Sequence, residues 1–290
     1  MLISHQVSTS QVVLGEIKKQ LTQNKNLSQS LQEVLSLVDQ LDTFDLGKFL
    51  IQNKGLNGYW TAYAILYGKG KKNMSPLEDW LINKAPGILA TQERFNVFQK
   101  EILKRLKPNM HIASLPCGLM EDFLSLPPDC LKDINITGID LDNDSLKLAH
   151  NLALERSIIN CQFIKRDAWN LNFHESFDLI TSNGLNIYEP NTEKLINFYQ
   201  EIAKALRPNG VLITSYLSHP DDKAKPLAQK NISHEDALKQ KTIFQDIIQA
   251  KWQCYQTEET TRMQLLSAGF TIEEIIYDSQ CLFPTVIAKK

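Results

Sequence analysis

Residues 112–122 read IASLPCGLMED, and the fold of the chain follows from how this stretch is interpreted. The apolar run Ile112 to Leu115 has the character of a buried strand, Pro116-Cys117-Gly118 is a turn, and Glu121 and Asp122 stand where a helix would begin. A strand that feeds a helix through a tight turn is how a nucleotide-binding sheet starts. Such a turn usually carries two or three glycines, which let the backbone approach a ligand closely. Here Gly118 alone supplies that freedom, and Pro116 and Cys117 make a stiffer approach. Leu115, Pro116, Cys117 and Gly118 are the first candidate contact residues.

Downstream, short β-branched runs alternate with helical patterns. HIASL, INITGID, QFIKRD, FDLITSN and GVLITSYL read as strands, with SLKLAHNLALERS and TEKLINFYQEIAKAL as helices between them and a turn at Arg207-Pro208-Asn209-Gly210. This alternation implies a parallel sheet with right-handed crossovers. The last two runs, FTIEEIIYD and LFPTVIAKK, are too close for a crossover helix and predict an antiparallel C-terminal hairpin.

Upstream the texture is helical. Leu27, Leu31, Val34, Leu35, Val38 and Leu41 paint one apolar face behind a capping box of Ser30 and Glu33, and no strand pattern precedes His111. The expected organisation is a helical region over 1–108 and an α/β domain over 109–290. The aromatics Tyr59, Trp60, Tyr63 and Tyr67 sit at helical spacing, which fits core packing.

Bulk properties exclude several classes. Thirty-one basic residues nearly balance 33 acidic ones, for a net charge of -2, so no strong basic field exists to hold nucleic acid. Lys69, Lys71 and Lys72 read as a solvated loop. No stretch has the length of a membrane span and the N-terminus has no secretory pattern, which points to a cytoplasmic protein. Five scattered cysteines without CxxC spacing indicate neither disulfides nor a zinc site.

In an open parallel sheet the ligand lies beyond the carboxyl ends of the strands, which selects further candidates. Asp140 ends the second strand about 22 residues after Gly118, the spacing at which a carboxylate meets a ribose hydroxyl pair, with Leu141 beside it. The alternative is that Asp140 and Asp142 cap the next helix. Asp167 follows the third strand, where it could accept from an adenine amino group with Ala168 or Trp169 against the ring. An exposed acid in a turn is the alternative. Asn183 and Gly184 end the fourth strand, followed by Asn186, Tyr188 and Glu189.

The series ASLPCGLM, TGIDLD, KRDAWN, FDLITSNGLN and LRPNGVLITSYL, with its terminal hairpin, resembles the motif series of class I S-adenosylmethionine-dependent methyltransferases over residues 109–290. The resemblance implies a Rossmann-like, mostly parallel seven-stranded sheet with an antiparallel C-terminal hairpin, S-adenosylmethionine as cofactor, and cofactor contacts at the positions named above. In that family the first strand usually ends in an acid followed by GxGxG. Here Ser114 stands at the acid's place, Pro116 at the first glycine and Met120 at the last. A dinucleotide fits less well, because Glu121 and Asp122 would set negative charge against a pyrophosphate.

The expected reaction is methyl transfer to a small-molecule acceptor by in-line displacement, in which positioning supplies much of the acceleration. Tyr188 and His219, shortly after strand ends, are the candidate catalytic groups, and a Cys117 nucleophile is the weaker option. Tyr59 and Arg94, from GYW and TQERF, are candidates to close over the methionine end of the cofactor as part of a lid. Two other readings remain open: a cofactor-binding protein without turnover, and an RNA methyltransferase. The acceptor and the oligomeric state are not legible.

Overall fold

A computed structural model describes residues 11–226, 232–251 and 253–290. Its elements in chain order are α1 (Gln11–Gln23), α2 (Leu31–Leu41), α3 (Asp45–Asn53), α4 (Gly58–Ala62), α5 (Pro76–Asn83), α6 (Pro86–Arg105), β1 (His111–Ser114), α7 (Glu121–Leu124), β2 (Asn135–Asp140), α8 (Asn143–Glu155), β3 (Cys161–Lys165), β4 (Phe177–Ser182), α9 (Thr192–Ala205), β5 (Leu206–Ser215), β6 (Leu217–Ser218), α10 (His234–Lys241), β7 (Tyr255–Gln256), α11 (Glu258–Ser267), β8 (Thr271–Ile276) and β9 (Thr285–Lys289).

The chain forms two compact units. The helical one comprises the described residues of 1–92 and 230–252, and the α/β one those of 93–229 and 253–290. The boundary therefore falls inside α6 and not at 108, and a late segment joins the N-terminal helices. The reason is side-chain bonding across the sequence: Trp80 Nε1 donates to Asp236 Oδ1 at 2.6 Å, the Gly87 N–H to Gln240 Oε1 at 2.6 Å, and the Ser28 N–H to Asp246 Oδ2 at 2.8 Å. Ile243, Phe244 and Ile247, on a π-helical turn over Thr242–Ile247, complete the same apolar core.

Within the helical unit α2 starts at the expected capping box, in which Ser30 Oγ accepts from the Glu33 N–H and the Glu33 carboxylate accepts from the Ser30 N–H. Trp60 and Tyr63 are buried in the core, as helical spacing predicts, and Tyr59 packs edge-on against Trp60 with ring centroids 5.0 Å apart. A π-helical turn over Tyr63–Tyr67 displaces carbonyls from the regular ladder, and buried Gln92 donates to the Ala64 and Ile82 carbonyls. Lys71 donates to the Tyr63 hydroxyl at 2.9 Å and lies 3.4 Å from Glu78, so one member of the basic loop is engaged inside this unit.

The α/β unit is a seven-stranded sheet in the order β3-β2-β1-β4-β5-β9-β8, parallel from β3 to β5, with β9 antiparallel to both neighbours. Side chains alternate between two cores. Ile112, Leu179, Ile213 and Ile287 face the layer containing Phe98, Phe123 and Leu146, while Ala113, Ile180, Leu212 and Val286 face the layer of Leu195, Phe198 and Leu265. Burial on both faces makes these strands continuous apolar, β-branched runs, which is why they were legible. One boundary differs: β5 begins at Leu206, which pairs with Phe177 before the register shifts to Leu179 opposite Val211. The Arg207–Gly210 turn lies inside that irregularity, with Asn209 in the left-handed region at φ 64°. No helix among the described residues is long and apolar enough to cross a membrane.

Candidate cofactor site

The strand order reverses direction between β1 and β4, which makes the carboxyl ends of these strands the place where such a sheet binds its ligand. The turn after β1 is stitched to both neighbours. The Leu115 N–H donates to the Thr181 carbonyl at 2.9 Å and the Cys117 N–H to the Ile139 carbonyl at 2.8 Å. The Leu115-Pro116 peptide is cis. Gly118 has φ 50° and Met120 φ 55°, so the methionine adopts the left-handed backbone for which glycine is the usual residue. Met120 thus keeps the backbone region of the last glycine, whereas Pro116 replaces the first with a cis peptide.

Asp140 holds this turn. Its Oδ2 accepts from the Gly118 N–H at 2.8 Å and its Oδ1 from the Asp142 N–H at 3.0 Å. Each oxygen keeps a lone-pair direction for a hydroxyl. Desolvation raises the Asp140 pKa, against the opposing pull of those backbone N–H groups. Asp142, in contrast, caps α8 through the Asp144 N–H. Of the two acids of TGIDLD, then, Asp142 caps the helix and Asp140 is tied to the turn. Leu141 beside them is 58% exposed, an apolar surface next to the turn.

Gly138 makes room for this arrangement. A Cβ there would lie 2.9 Å from the Phe163 ring, 3.1 Å from Cys117 Sγ and 3.1 Å from Met120 Sδ. The Cys117 thiol is buried, and its pKa is pushed up by that burial first, then by the charges of Asp140 and Asp122. A nucleophilic thiolate is disfavoured here.

Glu121 and Asp122, adjacent in sequence, point to different partners. Glu121 forms a bidentate pair with Arg156, and only Asp122 turns toward the strand ends, where its Oδ2 accepts from Ser114 Oγ at 2.9 Å and Thr181 Oγ1 at 2.5 Å. Neither hydroxyl role was foreseen from the sequence. Ser114 at the family acid's position was the available signal.

Asp167 is exposed and closes its own turn, Oδ1 accepting from the Trp169 N–H at 3.0 Å. Ala168 is buried, and the Trp169 ring lies 4.8 Å from that of Phe198, in contact with the sheet's core. Asn183 accepts from Ser215 Oγ at 3.0 Å, and Gly184 has φ 95°. Asn186 is structural: it is buried and donates to the Tyr199 hydroxyl and the Ser215 carbonyl.

Arg94 is 6% exposed, stacks 4.6 Å above the Phe283 ring, and reaches Ser215 Oγ at 3.4 Å. Among the described residues its Nε has no hydrogen-bond partner. Desolvation lowers its pKa to about 10, partly countered by the charge of Asp278. Arg94 and Asn183 thus share Ser215 as a neighbour. Tyr59 belongs to the helical unit, half-buried against its core.

Tyr188, 42% exposed, follows β4, and desolvation pushes its phenol up to about 12. His219 follows β6, and its Nδ1 accepts from the Asp221 N–H at 3.1 Å, which places the proton of the neutral ring on Nε2. Among the described residues no group of histidines, cysteines and acids could hold a metal ion.

Residues 106–264 match the family described as a methyltransferase domain. The chain belongs to that family. With the motif order and the site geometry, this makes it an S-adenosylmethionine-dependent methyltransferase. It is similar over its whole length to a Bordetella parapertussis protein described as a possible exported protein, with 32% identity, 100% of this chain and 99% of the other covered, and a TM-score of 0.90. A SAM-dependent methyltransferase of Methanosarcina mazei shares 18% identity over 66% of this chain and 96% of its own, with a TM-score of 0.50, a likeness of fold. No curated protein matches the chain.

Proposed function

We propose that the enzyme methylates a small-molecule acceptor, with S-adenosylmethionine lying across the carboxyl ends of β2, β1 and β4. The observation that carries this reading is the tie between Asp140 and Gly118, which sets a carboxylate with spare acceptor capacity against a glycine turn. Asp140 would hold the ribose hydroxyls. Leu141, Asp167, Ala168 and Trp169 would border the adenine, and Leu115, Pro116, Cys117, Asn183 and Gly184 would line the approach to the reacting centre. The buried Arg94, whose Nε has no hydrogen-bond partner among the described residues, suits the methionine carboxylate, because a desolvated guanidinium gains most from an anion.

When bound, the cofactor supplies an electrophilic methyl group on a sulfonium. The protein's task is orientation and exclusion of water, since in-line displacement rewards alignment. Neither candidate side chain is set up to remove a proton. A phenol pushed up to about 12 stays protonated at pH 7, and His219 Nδ1 already accepts from the Asp221 N–H. Both groups suit hydrogen-bond donation to the acceptor. An acceptor that already carries its lone pair at neutral pH, such as an amine, a carboxylate or an ionised thiol, is therefore favoured over an alcohol.

The near-balanced charge and the engagement of Lys71 argue against the RNA alternative. The test is label transfer from methyl-labelled S-adenosylmethionine to panels of small amines, thiols and carboxylic acids, with total RNA in parallel. Label in a low-mass product supports the proposal. Label in RNA, or in neither with cofactor bound, contradicts it.

A further inference from the structure

We infer that Thr285 selects the methyl acceptor, its hydroxyl donating to a carbonyl or carboxylate oxygen of that molecule at the carboxyl end of β5. The inference rests on the proposed methyl transfer and names a residue, and through it a functional group, by which the acceptor is chosen.

Thr285 opens β9 and stands opposite Ser215, the last residue of β5, in the antiparallel ladder. Ile213 and Ile287, two residues further along each strand, face the layer of Phe98, so the side chains of Ser215 and Thr285 share that face. Directly opposite side chains in such a ladder lie about 5 Å apart. The two hydroxyls nevertheless differ. Ser215 Oγ donates to Asn183 Oδ1 at 3.0 Å and accepts from Arg94 Nη1 at 3.4 Å. Thr285 is 1% exposed, and its Oγ1 has no hydrogen-bond partner among the described residues. A buried hydroxyl left without a partner is costly, and valine, with the same branching and a better fit to a strand, would avoid the cost. The unpartnered hydroxyl sits one strand from Asn183, at the end of the sheet where the ligand lies.

The surroundings decide what the hydroxyl receives. Two acids of the flanking segments are already committed: the Asp278 carboxylate accepts from the N–H groups of Gln280 at 3.0 Å, Leu282 at 2.9 Å and Phe283 at 2.6 Å, and Glu93 accepts from the Ser279 N–H at 3.0 Å and the Ser279 hydroxyl at 2.6 Å. An ammonium group brought to Thr285 would be desolvated beside Arg94 without a free carboxylate to pair with. A carbonyl or carboxylate oxygen needs only a donor, which the Thr285 O–H provides. A buried group of this kind also discriminates strongly, because a ligand without the matching oxygen leaves the hydroxyl unpaired. The acceptor therefore carries two functions, the atom that takes the methyl group and an oxygen-bearing group held at β5 and β9. Among amines and thiols, those that also bear a carboxylate or an amide are the expected substrates.

The experiment uses the full chain saturated with S-adenosylhomocysteine, which occupies the proposed cofactor site, and titrates propionate, propionamide and propylamine by ligand-observed NMR. Propionate and propionamide are expected to bind, and propylamine about 10-fold more weakly or not at all. Thr285→Val should weaken propionate about 10-fold or more and propionamide about 3-fold or more, leave S-adenosylhomocysteine within about 3-fold, and not lower the melting temperature. Thr285→Ser, which keeps the hydroxyl, should hold both probes within about 3-fold. Equal binding of all three probes, no binding of any, unchanged affinities in Thr285→Val, or equal losses in the serine and valine variants overturns the assignment. Should Thr285→Val not fold, the order of the probes on the wild type and on Thr285→Ser decides. A wild type that does not bind S-adenosylhomocysteine refutes the cofactor site itself, a result distinct from any of these.

Discussion

Arg156 holds Glu121 by two hydrogen bonds, Nη1 to Oε2 at 2.7 Å and Nη2 to Oε1 at 2.9 Å, tying the first residue of α7 to the residue that caps α8. The Glu121 side chain is 6% exposed and that of Arg156 29%. Removing one partner of such a pair strands a desolvated charge. Arg156→Ala should therefore cost about 3 kcal/mol in denaturant unfolding, with cofactor affinity nearly unchanged. An equal collapse of affinity would mean that Glu121 serves the ligand.

The divergence of Glu121 and Asp122 shows where legibility ended. Successive helical residues point about 100° apart, so an acidic pair can be read from the sequence but not divided between an arginine and two hydroxyls. The central strands were legible because burial on both faces imposes continuous apolar runs such as Ile112-Ala113 and Leu179-Ile180. Residues 232–251 were different. Their helical pattern does not reveal that Ile243 and Phe244 close a core begun some two hundred residues earlier, since that pairing is a property of tertiary packing.

Gly138→Ala tests the packing under the turn. The added methyl would meet Phe163, Cys117 Sγ and Met120 Sδ at 2.9 to 3.1 Å, and only a shift of the turn or the ring relieves it. A loss of about 1 to 3 kcal/mol in stability is expected, with weaker cofactor binding because Gly118 moves with Cys117. Calorimetry and thermal unfolding of one preparation check both.

Arg94→Met should separate stability from binding. Replacing a buried guanidinium that has no ion pair among the described residues by an apolar side chain of similar length is expected to leave the melting temperature unchanged or raise it. Affinity for S-adenosylmethionine should fall about 10-fold or more. A large drop in stability would instead make Arg94 a structural partner of Phe283 and Asp278.

Acidification should release the cofactor at a higher pH than ordinary carboxylates imply. The Asp140 pKa is raised above 3.8, chiefly by desolvation, and the proposed site needs its carboxylate ionised to accept from a pair of hydroxyls. An acid whose folded pKa exceeds its unfolded value binds its proton more tightly when folded, so protonating Asp140 does not destabilise the free protein. Affinity measured by calorimetry from neutral pH down to the lowest pH at which the protein stays folded should fall while the free protein's melting temperature is not lowered by this group. Affinity that stays flat over that whole range would contradict the assignment of Asp140.

The most direct test of the account is calorimetric titration of S-adenosylmethionine into the wild type and Asp140→Ala. The wild type should bind, and the variant, folded by circular dichroism, should bind about 10-fold to 150-fold more weakly, the range of a hydrogen bond to a charged group. No binding by the wild type, or equal affinity in a folded variant, would contradict the cofactor site described for this sheet.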